Sequence, residues 1–437
     1  MANVVVVGGG FAGLSAAARL AKLRHNVTVV EATSRLGGRL RGVDIDGQPW
    51  PLDVETVTLP GVFRDLFRKS GRPLERSLDL TLTPSRRHLF RGLEPLDLPF
   101  GDHALQHDAI AAVLEPEFGV PDQPADVWSD WIDSWPERWD VVRRTLLDRT
   151  PTGRGDLDRA ARRTLDVRRS LARLVDRELD DSRLQKLVLD PIRLEGQDRR
   201  TTPGFTGVRH YLDRTFGRWE FAGGFAGLAD ALEIRLGERK VTLALGERAH
   251  ELTFSGTGTG RPGTGDTVTS VVTDRRSLPA DLVIWCAPTW PAPLRQPPGL
   301  QAMPSSRTFL TLSPDAPHLP RDLLAHTNPP VRLTSHGDGR CTLIHQGGED
   351  PVISLVRAGL DLRKHIVDRS TLAPPALVGL GHWGWAWCGW TTLDDHPGVN
   401  PQHGVHFAGA HAWPGGTLEE IGMATAAIAE AIGPAPR

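Results

Sequence analysis

Three glycines near the start of the chain have the spacing of a phosphate-binding turn. Gly8, Gly10 and Gly13 form the pattern G-x-G-x-x-G between an apolar run at residues 4–7 and an Ala-rich stretch that predicts a helix. In such a unit Gly8 allows a tight turn, Gly10 lets the backbone approach a pyrophosphate, and Gly13 lets helix and strand pack closely. The spacing therefore predicts a site for the phosphates of a dinucleotide.

The next predicted strand, residues 27–30, ends in a carboxylate. Glu31 and Ala32 follow it, and Glu31 can accept hydrogen bonds from both hydroxyls of a ribose. An acid here disfavours a 2′-phosphate, so NADP is not expected. Phe11 and Ala12 begin the helix, whose free N–H groups attract phosphate. Residues 1–31 thus predict a dinucleotide-binding βαβ unit.

A third motif, R-L-G-G-R at residues 35–39, follows the acid. It resembles the signature of the flavoprotein family that joins amine oxidases, phytoene desaturases and related carotenoid enzymes. The resemblance implies FAD as the cofactor, with Gly38 passing close to it and Arg39 near the phosphates or the ribityl chain. Residues 219–225, W-E-F-A-G-G-F, resemble the Gly-Gly helix start of this family, and the following strand implies backbone contact near Ala249 with adenine.

Residues 404–416, G-V-H-F-A-G-A-H-A-W-P-G-G, resemble the C-terminal flavin motif in its phytoene-desaturase form. The resemblance implies that Gly409 and Ala410 lie on the ribityl chain. It also implies that the helix beginning near Gly416, Thr417 and Leu418 directs its N-terminus at the N1/O2 edge of the flavin, where negative charge develops on reduction.

One departure from the phytoene-desaturase pattern suggests a catalytic group. The chain keeps an acid expected near the flavin ring, Asp53, but has Glu55 where the pattern has glycine. A carboxylate beside the ring would accept a proton while hydride leaves the substrate for flavin N5. A salt bridge or a surface position is the structural alternative for Glu55.

Aromatic residues are the other catalytic candidates. Residues 381–390, G-H-W-G-W-A-W-C-G-W, alternate bulky and small side chains, which predicts a strand with its tryptophans on one face. Trp385 and Trp413 are candidate walls of a substrate cavity beside the flavin, with core packing as the alternative. Cys388 resembles the flavin-linked cysteine of monoamine oxidases, but its neighbours differ, so non-covalent FAD is expected.

The motifs occur in separated segments, which defines the predicted organisation. The predicted fold is α/β: a Rossmann-like FAD-binding domain built from discontinuous segments, with an inserted α+β substrate domain. We expect the FAD-binding domain at residues 1–90, 217–290 and 391–437, and the substrate domain at 91–216 and 291–390.

Charged helices are predicted between residues 126 and 200, and short strands of an antiparallel sheet between 291 and 390. The helices present solvated faces; the alternatives are a lid over substrate or a basic face on an anionic membrane.

Composition excludes several classes of partner. A net charge of -2 gives no field that would hold nucleic acid. Three scattered cysteines suit a reducing cytoplasm rather than a disulfide framework, and no metal-ligand spacing is present. No apolar stretch is long enough to span a bilayer, so membrane contact would be peripheral. The expected partner is a small-molecule substrate, and the sequence does not indicate the oligomeric state.

The expected function is that of a flavin-dependent dehydrogenase, desaturase or oxidase for an apolar or amine-bearing small molecule in secondary metabolism. A large apolar tunnel would favour the desaturase, and a closed cage with a carboxylate near N5 would favour the amine oxidase. Two alternatives stay open. One is a non-redox isomerase that uses reduced flavin, and the other is a flavin-free binding or escort protein like the GDI relatives of this fold.

Overall fold

The computed structural model describes residues 1–115, 122–256, 261–297, 300–386 and 390–436. The strands, in chain order, are β1 (Asn3–Val7), β2 (Asn26–Glu31), β3 (Val43–Ile45), β4 (Gln48–Trp50), β5 (Leu80–Thr83), β6 (Ser85–Leu89), β7 (Leu96–Pro99), β8 (Arg218–Phe221), β9 (Thr242–Leu245), β10 (Ala249–Phe254), β11 (Val268–Thr273), β12 (Ser277–Pro279), β13 (Leu282–Trp285), β14 (Gln301–Ala302), β15 (Ser306–Leu312), β16 (Asp322–Ala325), β17 (Val331–Gly337), β18 (Arg340–His345), β19 (Ile366–Leu372), β20 (Gly384–Trp385) and β21 (Val405–Phe407).

The α-helices are α1 (Phe11–Lys22), α2 (Pro60–Ser70), α3 (His103–Val113), α4 (Pro124–Asp133), α5 (Pro136–Val142), α6 (Arg159–Thr164), α7 (Leu171–Glu178), α8 (Ser182–Leu194), α9 (Val208–Phe216), α10 (Gly224–Glu238), α11 (Pro351–Arg357), α12 (Pro374–Gly379) and α13 (Leu418–Ile432). Within the described residues, no helix has the length and apolar character needed to cross a bilayer.

A five-stranded parallel sheet forms the first half of the architecture. Its order is β21-β13-β1-β2-β9, so segments from the start, middle and end of the chain meet in one sheet. The valines of β1 are buried on both faces, as expected for a central parallel strand covered by helices. Helices α1, α2, α10 and α13 pack with one another in this half. The α/β fold class expected from the sequence is confirmed.

A seven-stranded sheet forms the second half, in the order β19-β15-β18-β17-β16-β6-β7. Its pairings are antiparallel except between β16 and β6, which are parallel. The helices α4 to α8 lie in the region where charged helices were expected, with α3 and α9 on either side of it, and three tryptophans, Trp128, Trp131 and Trp135, are buried among these helices. Their burial explains why so charged a region still folds around an apolar core.

The strand pairings bear on two details of the predicted organisation. Because β6 pairs with β16 and β7, we propose that the first FAD-domain segment ends near Pro84 rather than at residue 90. The strand predicted over residues 381–390 is wrong for the described part, where only Gly384 and Trp385 pair with a neighbour, β14. Cys388 lies outside the described residues.

Candidate functional site

The glycine turn after β1 is open where a phosphate would lie. Gly8 has φ 101°, and its N–H donates to the carbonyl of Val30 at 2.8 Å, which closes the tight turn. Gly10 precedes α1 without any capping side chain, and a Cβ added to it would meet no atom within 4 Å. The first N–H groups of α1, at Phe11 and Ala12, have no acceptor within the helix and are therefore available to an anion.

Gly13 is required by packing. A Cβ added to Gly13 would lie 1.9 Å from the carbonyl oxygen of Gly8, which is backbone and cannot rotate away. Overpacking of this kind costs about 1–3 kcal/mol. We therefore expect Gly13→Ala to weaken FAD binding by roughly 10- to 100-fold, measured by titrating apoprotein with FAD. Gly237→Ala is the matched control, because it lies in α10 with no atom within 4 Å of the added Cβ; equal losses in both variants would contradict the role of the turn.

The carboxylate of Glu31 lies against the same turn. Its Oε2 accepts a hydrogen bond from the N–H of Gly9 at 2.7 Å, and its Oε1 accepts from the N–H and hydroxyl of Thr33 at 2.8 and 2.7 Å. These bonds fix the carboxylate at the end of β2, beside the exposed Ala32. The N–H of Glu247 donates to the carbonyl of Glu31 at 3.0 Å. This hydrogen bond brings the segment just before β10, whose first residue is Ala249, close to Glu31.

The Gly-Gly-Arg loop also closes on the turn. The N–H of Gly37 donates to the carbonyl of Gly9 at 2.8 Å, and a Cβ added to Gly38 would lie 3.2 Å from the Cα of Gly10. Arg39 forms a bidentate ion pair with Asp53, with Nη2 2.7 Å from Oδ1. The loop thus lies directly against the glycine turn, and the guanidinium of Arg39 is paired with Asp53.

The C-terminal motif completes the arrangement. The N–H of Ala408 donates to the carbonyl of Trp285 at 3.1 Å, and a Cβ added to Gly8 would lie 3.0 Å from the nitrogen of Ala287, so the ends of β1, β13 and β21 adjoin. Gly409 has φ 131°, a conformation that L side chains rarely adopt, and Ala410 follows it. A Cβ added to Gly416 would contact the Ala410 side chain at 3.6 Å.

The start of α13 carries two carboxylates that sequence reasoning missed. Thr417 caps the helix, and Glu420 returns its side chain to the N–H of Thr417 at 3.1 Å, a capping box whose T-x-x-E pattern is readable in the sequence. Leu418 is the first helical residue, and Glu419 follows it. Glu419 accepts from the N–H and hydroxyl of Thr58 at 3.2 and 2.8 Å, and burial raises the pKa of Glu419.

Asp53 links the predicted flavin segment to the seven-stranded sheet. In addition to Arg39, it pairs with Arg307 of β15, whose Nη2 lies 3.2 Å from Oδ1. Burial alone would raise the pKa of Asp53, but the guanidinium of Arg39, and then that of Arg307, hold it well below its ordinary value. Asp53 is therefore an anion that fixes both arginines and is no candidate base.

The pKa of Glu55 is shifted in the opposite direction from that of Asp53. Oε1 of Glu55 accepts a hydrogen bond from the N–H of Phe225 at 2.9 Å, at the first turn of α10, and Oε2 of Glu55 lies 3.5 Å from Nη2 of Arg321. Burial raises the pKa of Glu55 despite these two partners. The salt bridge that was the alternative interpretation of Glu55 is thus present, but its N–O distance of 3.5 Å is long. The raised pKa of Glu55 suits a group that accepts a proton.

Of the aromatic candidates, Trp385 and Trp413 lie in different surroundings. The ring of Trp385 is half-buried and lies 5.3 Å from the ring of His411, which also contacts Trp290 and Phe407 at the end of the parallel sheet. Trp413 is 4% exposed, and its indole N–H donates to the carbonyl of Leu146 at 2.8 Å. Trp413 thus contributes to a core between α13 and the helical region.

Two small adjoining cavities lie between the second sheet and its helices, with volumes of about 10 and 30 Å³. They share Arg86, His210 and Asp213, and the second is also lined by Arg209 and Arg218. Apolar side chains such as Phe100 and Trp128 complete the lining, which is therefore mixed. None of these residues was singled out by the sequence, because their spacing along the chain is irregular and only the fold brings them together.

A parallel sheet whose carboxyl edge carries a glycine turn, a carboxylate at the end of the second strand and a helix N-terminus is typical of the class of dinucleotide-binding α/β proteins. The chain belongs to the family of flavin-containing amine oxidoreductases, whose sequence profile matches residues 11–318. The family resemblance and the FAD cofactor expected from the sequence are confirmed.

Individual relatives agree with this family. The chain is similar to a 4,4′-diapophytoene desaturase of Staphylococcus aureus, 26% identical over 247 residues, which covers 53% of this chain and 45% of the desaturase. The match thus spans less than half of that relative's length. In fold, the chain is similar to putrescine oxidase bound to putrescine (TM-score 0.63, 16% identity, 99% and 98% of the two chains) and to cyclohexylamine oxidase from Brevibacterium oxydans (TM-score 0.61, 17% identity, 99% of both chains).

Proposed function

We propose that this protein is an oxidase or dehydrogenase that removes a hydride from the carbon next to the nitrogen of a small amine. FAD, when bound, supplies the hydride acceptor at N5 of its flavin ring. The chain's own residues hold the cofactor and move the proton. The alternative of a flavin-free escort protein is less well supported, because the phosphate and ribose positions are intact. A non-redox isomerase would use the same flavin site, and the experiment below distinguishes it.

The residues present fit the cofactor at each of its parts. The phosphates fit the open turn before α1, where neither a capping side chain nor a Cβ fills the space. The ribose fits the carboxylate of Glu31, which the N–H groups of Gly9 and Thr33 hold in place. The proposed contacts are Gly8, Gly10, Phe11, Ala12, Gly13, Glu31, Ala32, Gly38, Arg39, Ala249, Gly409, Ala410, Gly416, Thr417 and Leu418.

The proposal depends mainly on the position and the raised pKa of Glu55. Glu55 lies two residues after Asp53, in the segment that the family resemblance brings to the flavin ring, and burial raises its pKa. A buried carboxylate with a raised pKa is a better proton acceptor than an exposed one. Glu55 would take a proton from the substrate ammonium, so that the neutral amine can release hydride from its α-carbon and become an iminium, while the N–H of Phe225 holds the other oxygen of Glu55.

The described cavities favour an amine over a polyene. A carotenoid substrate is long and apolar, so it requires an apolar tunnel, whereas the two described cavities are small and are lined by arginine, histidine and acidic side chains as well as by apolar ones. Trp385 and His411 would form an aromatic wall near the flavin. The carotenoid desaturase is the second candidate, favoured by the similarity to the staphylococcal desaturase.

The decisive experiment is anaerobic mixing of the yellow holoprotein with a matched panel of amines and polyenes, followed by visible absorbance. We expect one or more amines to bleach the flavin band, while polyenes and the corresponding alcohols leave it unchanged.

Three other results would each overturn the proposal. Bleaching by polyenes alone would assign a desaturase. Turnover that requires a reductant and gives no net oxidation would assign an isomerase. A purified protein that stays colourless after incubation with FAD would assign a binding protein.

A further inference from the structure

Gly224 leaves open the space beside the carboxylate of Glu55. A Cβ added to Gly224 would lie 2.5 Å from Oε1 of Glu55 and 2.9 Å from its Oε2. Gly224 also has φ 65°, a conformation that favours glycine. The carboxylate is the movable end of a flexible side chain, so a larger residue at position 224 would displace the carboxylate before it displaced the backbone.

The N-terminus of α10 holds one oxygen of this carboxylate. The first N–H groups of a helix have no acceptor within the helix, and at Phe225 the N–H donates to Oε1 of Glu55 at 2.9 Å. The partial positive charge at the start of this helix of 15 residues also favours an anion. The side chain of Glu55 is 11% exposed, so water screens these interactions only in part. Oε1 therefore has a direction that α10 sets.

The main chain around Glu55 is held on both sides. Val57 exchanges two backbone hydrogen bonds with Trp219 of β8, at 2.9 and 2.8 Å. Before Glu55, the carboxylate of Asp53 pairs with two arginines, one from the Gly-Gly-Arg loop and one from β15. With the backbone fixed in this way, the direction of the Glu55 carboxylate depends on its own side-chain contacts.

The second oxygen of Glu55 has the longer contact. Oε2 lies 3.5 Å from Nη2 of Arg321. Arg321 is held mainly by other groups, because its Nη1 donates to the carbonyl of Ser335 and its Nε lies 3.0 Å from Glu220. A carbonyl oxygen accepts the N–H of Phe225 better than a hydroxyl does, so a proton that reaches Glu55 goes to Oε2.

We propose that Gly224 is a positioning residue of the reaction: it lets the N–H of Phe225 hold Oε1 of Glu55, so that Oε2 alone takes the proton of the substrate. In this step an N–H bond of the substrate ammonium breaks, an O–H bond forms at Oε2, and the electron pair stays on nitrogen. The inference rests on the proposed function and adds the element that orients its base.

Gly224→Ala tests the proposal on the holoprotein, and Gly223→Ala is the matched control. Both glycines have positive φ, 65° and 75°, so an added Cβ strains the backbone to a similar extent. At Gly223 the nearest atom to the added Cβ is the Cα of Gly227 at 3.5 Å, an ordinary contact. Only the variant at Gly224 therefore meets the carboxylate of Glu55. Thermal unfolding and FAD titration of both variants identify misfolding.

The first measurement needs no turnover. Hydrogen exchange of the Phe225 amide is followed by NMR in holoprotein labelled with ¹⁵N-phenylalanine, and the signal is assigned by its absence in Phe225→Leu. We expect exchange at least about tenfold faster in Gly224→Ala than in Gly223→Ala, because the displaced carboxylate no longer accepts this N–H.

The second measurement is anaerobic flavin reduction by the identified amine as a function of pH. We expect Gly224→Ala to react roughly 10- to 100-fold more slowly than Gly223→Ala, since a displacement of about 1 Å can cost this much. Burial, Glu220 and Asp53 raise the pKa of Glu55, whereas the N–H of Phe225 and the guanidinium of Arg321 lower it. Loss of the bond to Phe225 should therefore raise this pKa and move the acidic limb of the rate profile to higher pH.

Two further variants separate positioning from a structural loss. In the Glu55→Gln background, Gly224→Ala should slow reduction by less than about twofold, because no carboxylate is left to displace. If Gly224→Ala fails to fold, Glu55→Asp decides, since it keeps a base but withdraws it from α10 by one methylene group. We expect at least about tenfold slower reduction in Glu55→Asp and faster exchange of the Phe225 amide.

Equal exchange or equal rates in the two glycine variants would overturn the positioning role. Slowing that persists in the Glu55→Gln background, an acidic limb that does not move, or a Glu55→Asp variant as fast as the unmodified protein would also overturn it. Faster exchange in Gly224→Ala without bleaching by any amine would retain the anchoring of Glu55 and reject the proposed function. Bleaching by amines with equal exchange in the two glycine variants would do the reverse.

Discussion

Replacing Glu55 by glutamine is expected to leave the protein yellow while slowing flavin reduction by its substrate at least about a hundredfold. The amide oxygen of glutamine can still accept the hydrogen bond from the N–H of Phe225, so the start of α10 keeps its cap. What disappears is a group able to take a proton. The change thus separates the chemistry of Glu55 from its structural bond.

The measurement is stopped-flow absorbance under anaerobic conditions, with the amine identified by the bleaching panel. Glu220→Gln provides the control, because Glu220 also contacts Arg321, at 3.0 Å from its Nε, and lies on β8. We expect reduction rates within a fewfold of the unmodified protein for this control. Unchanged kinetics in Glu55→Gln would remove Glu55 from the mechanism, and equal slowing in both variants would indicate that the arginine, rather than the carboxylate, matters.

Replacing Asp322 by asparagine is expected to lower the free energy of unfolding by about 3–5 kcal/mol. Asp322 is fully buried and accepts hydrogen bonds from Nε of Arg86 and from Nε and Nη2 of Arg332, at 2.8, 2.8 and 2.7 Å. Asparagine removes the negative charge and leaves two guanidinium groups uncompensated in the interior. The amide NH₂ would also face N–H donors.

The ion pairs of Asp322 with Arg86 and Arg332 also predict that the stability of the fold depends on pH. Burial alone would raise the pKa of Asp322, but Arg332 and Arg86 hold it far below its ordinary value. A carboxyl whose folded pKa is lowered stabilises the fold fully above the pKa of the unfolded chain, about 4, and this stabilisation is lost progressively as the pH falls from there through the folded pKa. The difference in unfolding free energy between Asp322→Asn and the unmodified protein should therefore begin to shrink below about pH 4 and keep shrinking as the medium becomes more acidic.

Denaturant unfolding at pH 7 and at acidic pH checks this expectation. Asp361→Asn is the control, because Asp361 pairs with Arg363 at 2.7 Å on the surface and exposed pairs contribute little. We expect almost no change in its unfolding midpoint. A loss for Asp322→Asn as small as that of the control would show that the cluster is not coupled to folding.

The amino-acid sequence alone determined the cofactor-binding half of this protein. The glycine turn, Glu31 and the Gly-Gly-Arg loop are local patterns whose residue types follow from backbone geometry and from the shape of a dinucleotide, so each is readable over a short stretch. The helices beginning at Gly224 and Leu418 were expected at the residues where the structure has them. Periodicity also indicated the helical middle of the chain.

Only the tertiary structure decided which side chains lie around the position expected for the flavin. Glu55 gave no indication in the sequence that it contacts Phe225, because 170 residues separate them. Arg86, His88, Asp190, Asp322 and His326 likewise come from three distant segments, and their roles depend on a parallel pairing of β6 with β16 that no local pattern encodes. The sequence specifies the chemical type of each side chain, but burial arises only when distant segments pack together. Burial raises the pKa of Glu55 and leaves one polar atom each of Arg86 and His88 without a hydrogen-bond partner among the described residues.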